Sequence, residues 1–139
     1  MKNKSKPPKR TQGMKWIRSD KRLAIYLRDG LACCYCGASV EEATRLTLDH
    51  LRPYSLGGGN KENNLVTCCL RCNSVRGNRP WRKFVEHVAA YLDCDVDAAE
   101  IRRHIINTRN RKLDRDAAKE MIERRGGFVA ALKEKNHVE

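Results

Sequence analysis

The chain has 139 residues, 40% apolar and only 6% aromatic, and its 29 basic against 17 acidic side chains give a net charge of +12. That length suits one domain with a modest core, and the charge favours a polyanion, nucleic acid before an anionic membrane surface. The longest apolar run, Leu31 to Cys36, has six residues where a membrane-spanning helix needs roughly 20, and no apolar stretch follows the N-terminal charges.

Residues 1–14 read as a flexible basic arm. Residues 1–22 together carry +8 of the net charge, with Pro7, Pro8 and Gly13 among them, so the arm is expected to touch phosphates. Ser19 can cap a short helix to Arg28, with Leu23, Ile25, Tyr26 and Leu27 as packing candidates and Gly30 as its stop. A cysteine turn at 31–37 follows, and Glu41 to Ala43 could make a brief helical turn. Arg45 to His50 alternates, with Leu46 and Leu48 on one face and Arg45, Thr47 and Asp49 on the other, which predicts a strand. Pro53 to Asn60 is loop, Leu65 to Thr67 a second short strand, and Cys69 to Arg76 a helix ended by Gly77.

From Pro80 the period becomes helical. Trp81, Phe84, Val85, Val88 and Leu92 make one apolar stripe. Asp97 with Glu100 reads as a capping box for a helix carrying Ile101 and Ile105. Leu113, Ala117 and Met121 start another helix, stopped by Gly126-Gly127. The expected organisation is one domain over 15–83 and a helical extension over 84–139. The extension is a candidate surface for a homodimer or a protein partner.

A cytoplasmic, reducing setting is expected, and seven cysteines there argue for metal over disulfides. Cys33-x-x-Cys36 and Cys69-x-x-Cys72 are the two Cys-x-x-Cys pairs. Each lets one backbone turn aim two thiolates at one ion, and two such turns complete the closed tetrahedral site of structural Zn²⁺. A closed site leaves no position for substrate, so chemistry must come from elsewhere. Cys34, Cys68 and Cys94 read as packing or incidental thiols.

Asp49-His50 ends the first strand, Asn64 precedes the second, and Asn73 directly follows the last cysteine. Cleaving a phosphodiester needs an activated water, a cation and a fixed geometry. An imidazole near neutral pH suits the first need. A carboxylate with an amide carbonyl offers hard oxygens for Mg²⁺ or Mn²⁺. Asn64 can tie the intervening loop back to the histidine and aim its ring. Arg71, Arg76, Arg79, Arg82 and Lys83 flank the site with no acid between 70 and 85, and are expected to contact the DNA backbone.

Arg28-Asp29-Gly30, Cys33-x-Tyr35-Cys36-Gly37, Leu46-Thr47-Leu48-Asp49-His50-Leu51-x-Pro53, Ser55-x-Gly57-Gly58, Asn64-Leu65-Val66 and Cys69-x-x-Cys72-Asn73-x-x-Arg76-Gly77 together resemble the HNH endonuclease family, in its zinc-bound four-cysteine subtype. The resemblance covers about residues 15–83. It implies an α+β fold: a small ββα-metal core with a structural zinc site, here followed by the helical extension. It also implies His50 as general base, Asp49 and Asn73 as Mg²⁺ ligands, Asn64 as the orienting residue, and DNA ends with 5′-phosphate and 3′-hydroxyl. The last signature position is Asn73 in place of His, and Arg76 stands where Lys is frequent. Asn63 competes with Asn64, but the spacing to His50 and Leu65 favours Asn64. The alternative function is a zinc-stabilised module that binds nucleic acid without cutting it. It accounts for the charge and the cysteines but has no use for the four site residues together.

Overall fold

In the computed structural model the described residues are 16–40, 44–92 and 96–136; the expected arm, the turn at 41–43, Cys94 and the end of the chain lie outside them. The alternating segment is strand β1, Leu46–His50, and it pairs antiparallel with β2, Leu65–Cys69. The register sets Leu46 opposite Cys69 and His50 opposite Leu65. All five residues of β2 are buried, so it is covered on both faces and reads as a continuous apolar run. The sequence pattern ended this strand two residues early, at Thr67, because Cys69 was read as the start of the following helix.

Helix α1, Ser19–Arg28, packs under the hairpin through Ile25 and Tyr26, both at most 2% exposed. Ser19 is its first residue and not its cap. Arg18 takes the cap position, without a side-chain hydrogen bond. Helix α2, Leu70–Arg76, follows β2 directly. The Cys69 sulfur accepts from the Cys72 amide as its N-cap, and Gly77, at φ +56°, takes the exit. Hairpin, loop and α2 make the ββα unit.

The stripe from Trp81 buries as expected on α3, Trp81–Leu92. In α4, Ala98–Arg109, the capping box is complete: the Glu100 amide donates to Asp97, and the Asp97 amide donates to Glu100. Helix α5, Arg115–Arg125, is capped by Asp114 and closed by Gly126 at φ +86°. A sixth helix, α6, Phe128–Asn136, follows the glycine stop.

Two packing regions result. Cys33, Cys34, Tyr35, Val66, Cys68 and the other buried cysteines form one core with Trp81, Phe84, Val85, Val88, Ile101 and Ile105. Helices α3 and α4 therefore share the core of the cysteine site. On the other side, Leu23 and Ala24 of α1 pack against Ala118 of α5 and Ala131 of α6. No helix among the described residues is long and apolar enough to cross a membrane.

Candidate active site and zinc centre

The cysteine centre is built from two turns. In the first, the Gly37 amide donates to the Cys33 carbonyl and the Cys33 amide to Ala38, while the Tyr35 amide points at the Cys33 sulfur, 3.4 Å away. In the second, the Cys72 amide points at the Cys69 sulfur, also at 3.4 Å. The four sulfurs of Cys33, Cys36, Cys69 and Cys72 all lie within 4.8 Å of one another. The Cys36 and Cys69 sulfurs are 3.7 Å apart. A tetrahedron with Zn–S bonds of about 2.3 Å has edges of about 3.8 Å, so the cluster has the size of a four-thiolate zinc site. Its protonation leads to the same conclusion. Hydrogen bonds from Cys36, Cys68 and Cys72 hold the Cys33 thiol far below its ordinary value. Bonding to Cys33 in turn pushes Cys36 up to about 11 and raises Cys72. One thiolate is thus accepted at the expense of its neighbours, and a dication is what lets four coexist. Cys34 and Cys68 are buried in the core, and burial raises both thiols well above their usual value, as suits packing residues.

The second centre sits where β1 ends. Asp49 is 6% exposed. Its Oδ2 accepts from the Tyr35 hydroxyl at 2.7 Å and from Arg76 Nη1 at 2.6 Å. Burial raises the Asp49 carboxyl above its ordinary value even though Arg76 opposes the shift. Asn73 Nδ2 donates to Thr47 Oγ1 at 2.8 Å and to the Leu48 carbonyl at 3.2 Å, which pins the amide against β1 just before Asp49. Among the described residues, Asp49 Oδ1 and Asn73 Oδ1 have no side-chain or backbone donor. Both are hard oxygens, and that donor set fits Mg²⁺ or Mn²⁺.

His50 is half-buried. Its Nε2 lies 2.7 Å from Asn60 Oδ1. An amide oxygen only accepts, so Nε2 is the donor to Asn60, and in the neutral ring the lone pair falls on Nδ1. The ring is flanked by Trp16, with centroids 5.0 Å apart, and by Tyr54, at 6.0 Å. Lys21 Nζ donates to the Asn60 carbonyl at 2.7 Å, bracing that residue from α1.

A sequence profile of HNH endonucleases matches residues 33–89. This segment is an HNH endonuclease domain. Two curated relatives are similar to the chain. The CRISPR-associated endonuclease Cas9 of Actinomyces naeslundii is 42% identical over 61 residues, which is 43% of this chain and 5% of that protein. The Cas9 of Corynebacterium diphtheriae is 30% identical over 100 residues, 70% of this chain and 9% of that protein. The chain thus spans under a tenth of the length of either relative. No solved structure matches.

Within the HNH domain Asn64 spans the loop. It accepts from the Arg52 amide and donates to the carbonyls of Arg52 and Gly59. The loop closes so tightly that a Cβ on Gly58 would meet the Arg52 carbonyl oxygen at 1.8 Å, so only glycine fits there. The residue bonded to the imidazole is Asn60, which the sequence reading left in the loop without a role. Its signal was its place, after three glycines and ten residues beyond His50.

Arg76 corrects an expectation. It is 1% exposed and donates to Asp49, to the carbonyls of His50 and Leu51, and through Nε to Arg79. Four of its five N–H donors are engaged internally and the side chain is closed from solvent, so in this structure Arg76 braces the end of β1 and does not present itself to a DNA phosphate. A pattern of basic residues cannot distinguish a solvated arginine from one closed over its own strand. The other four predicted contacts, Arg71, Arg79, Arg82 and Lys83, are exposed. Arg71 and Arg82 lie over the rings of Tyr91 and Trp81, at 5.0 and 4.5 Å. Tyr35, which holds Asp49, entered only as a motif residue without a role, and Trp16, which flanks His50, was not singled out.

Proposed function

We propose that the protein is a divalent-metal-dependent DNA endonuclease in which His50 is the general base. The observation that carries this reading is the His50–Asn60 bond, within an HNH domain: it commits Nε2 to Asn60, so that Nδ1 is the basic nitrogen of the neutral ring, one residue on from Asp49. In this reading a water attacks the phosphorus and passes its proton to His50 Nδ1. The P–O3′ bond breaks, the 3′-oxygen takes a proton, and the cut strand ends in 5′-phosphate and 3′-hydroxyl. Asp49 and Asn73 would hold Mg²⁺ or Mn²⁺, whose contribution when bound is to neutralise charge developing on the phosphate. Tyr35 and Arg76 hold the Asp49 carboxylate by one oxygen and leave the other for a ligand. Asn64 keeps the loop closed so that Asn60 meets the ring. Cys33, Cys36, Cys69 and Cys72 would hold Zn²⁺ and fix α2, and with it Asn73, against β1. The net charge of +12 favours a polyanionic substrate.

The test is nicking of supercoiled plasmid with Mg²⁺, without added divalent cation, and with His50→Ala. Nicking that needs both Mg²⁺ and His50, with the variant about 10²- to 10⁴-fold slower, is the expected result. Plasmid retardation with no nicking under any of these conditions would overturn it in favour of a non-catalytic binding module.

A further inference from the structure

The connection between α4 and α5 faces the turn at residues 61–63 across a cavity of about 970 Å³, distinct from the two metal centres. Its walls carry Lys61 on one side and Arg109, Arg111, Lys112 and Arg115 on the other. Three carboxylates share these walls, and two of them have other work. Asp114 caps α5 at the Ala117 amide, and Glu62 lies 4.0 Å from Lys21. Of the five cations, Arg115 is answered by Asp20 on α1, at 3.2 Å. Among the described residues, the other four have no carboxylate within ion-pair distance. A cleft whose five cations outnumber its three carboxylates fits an anion rich in acceptor oxygens.

The cavity also adjoins the proposed active site. Lys61 directly follows Asn60, whose side chain meets His50, and the turn runs on to Asn64, which closes the loop. We infer that this groove holds the sugar–phosphate backbone of the DNA duplex cut at His50, on a flank of the scissile bond. This deepens the endonuclease reading and rests on it for the identity of the polyanion. It gives the segment beyond the HNH match a role as a second grip on the substrate.

The experiment uses the full chain. Lys61→Ala/Lys112→Ala removes two exposed cations, neither of them in the metal centres nor in contact with His50. Lys119→Ala/Lys133→Ala on α5 and α6, outside the groove, is the charge-matched control. Binding of a short labelled duplex is followed by fluorescence anisotropy against salt, without added divalent cation. Each phosphate contact contributes about 0.9 to the slope of log affinity against log salt. The groove pair should therefore flatten that slope by roughly 1.8, so that the affinity lost between 50 and 200 mM salt shrinks about 12-fold. The control pair should flatten it by less than half as much. A slope equal to the wild type's, or an equal drop in the control, overturns the groove. Plasmid nicking is read in parallel. Nicking with an unaltered slope sinks the groove and spares the nuclease. A flattened slope in a chain that never nicks sinks the nuclease and spares the groove.

Discussion

Asn60 and Arg76 govern the site in opposite ways. Asn60 acts on the imidazole, deciding which ring nitrogen carries the proton. Arg76 acts on the frame, joining the end of β1, the residue after it and the exit of α2 through four hydrogen bonds. Removing the Asn60 acceptor should free the ring tautomer while leaving the fold intact. We expect Asn60→Ala to slow cleavage about tenfold, the worth of one hydrogen bond to a polar ring. It should also displace the pH–rate profile and the nitrogen shifts of His50 in NMR, whereas the melting temperature should hardly move. An unaltered profile in a folded variant would remove Asn60 from the mechanism. At this scale the sequence was legible for the four cysteines, whose paired spacing the fold brings to one point. It was opaque where several residues could do the same work. Three asparagines fall between 60 and 64, and only the closed loop shows that one reaches the ring and another ties the backbone.

At the scale of elements, the cysteine turns and the α1–α5 contact are two of the places where pieces distant in sequence are fastened. Cys36 and Cys69 link the first turn to the start of α2, across the hairpin between them. If a metal holds that link, Cys69→Ala should abolish the cooperative melting transition and the bound zinc measured by mass spectrometry of the native protein. A variant that melts normally would show that packing alone suffices. The second fastening is ionic. Partial burial works to raise the Asp20 carboxyl, but Arg115, a backbone hydrogen bond and Arg18 together outweigh it and the carboxyl ends below its ordinary value. A lowered carboxyl stabilises the fold above its unfolded pKa, and that contribution disappears as the pH falls through the folded value. Asp20→Asn should therefore lower the melting temperature slightly at pH 7, by a stability of about 0.2–1 kcal/mol for so exposed a pair, and the gap should close near pH 3. Helix periods were legible from Pro80 onward because each stripe and cap is local. The pairing of α5 with α1 was not, since nothing local in Asp20 or Arg115 names a partner 95 residues away.

For the whole molecule, the match to HNH endonucleases ends at residue 89, yet the core around the cysteines extends to Ile101 and Ile105 on α4. The fold is thus completed by helices outside the recognised segment. Ile105→Ala, at a fully buried position, should cost about 2–5 kcal/mol and speed the loss of zinc to a chelator. Zinc retention equal to the wild type's would show the two to be independent. Sequence spacing presented residues 84–139 as a unit in its own right, because an apolar stripe shows that a face is buried but not what it faces. Trp16 offers a use beyond packing. Its indole lies against the imidazole of His50, and the chain's one other tryptophan is Trp81 in the core. With Trp81 exchanged for phenylalanine, fluorescence would come from a single ring in contact with the proposed base. The protein would then carry its own optical gauge of proton arrival and substrate entry, readable in real time without a label.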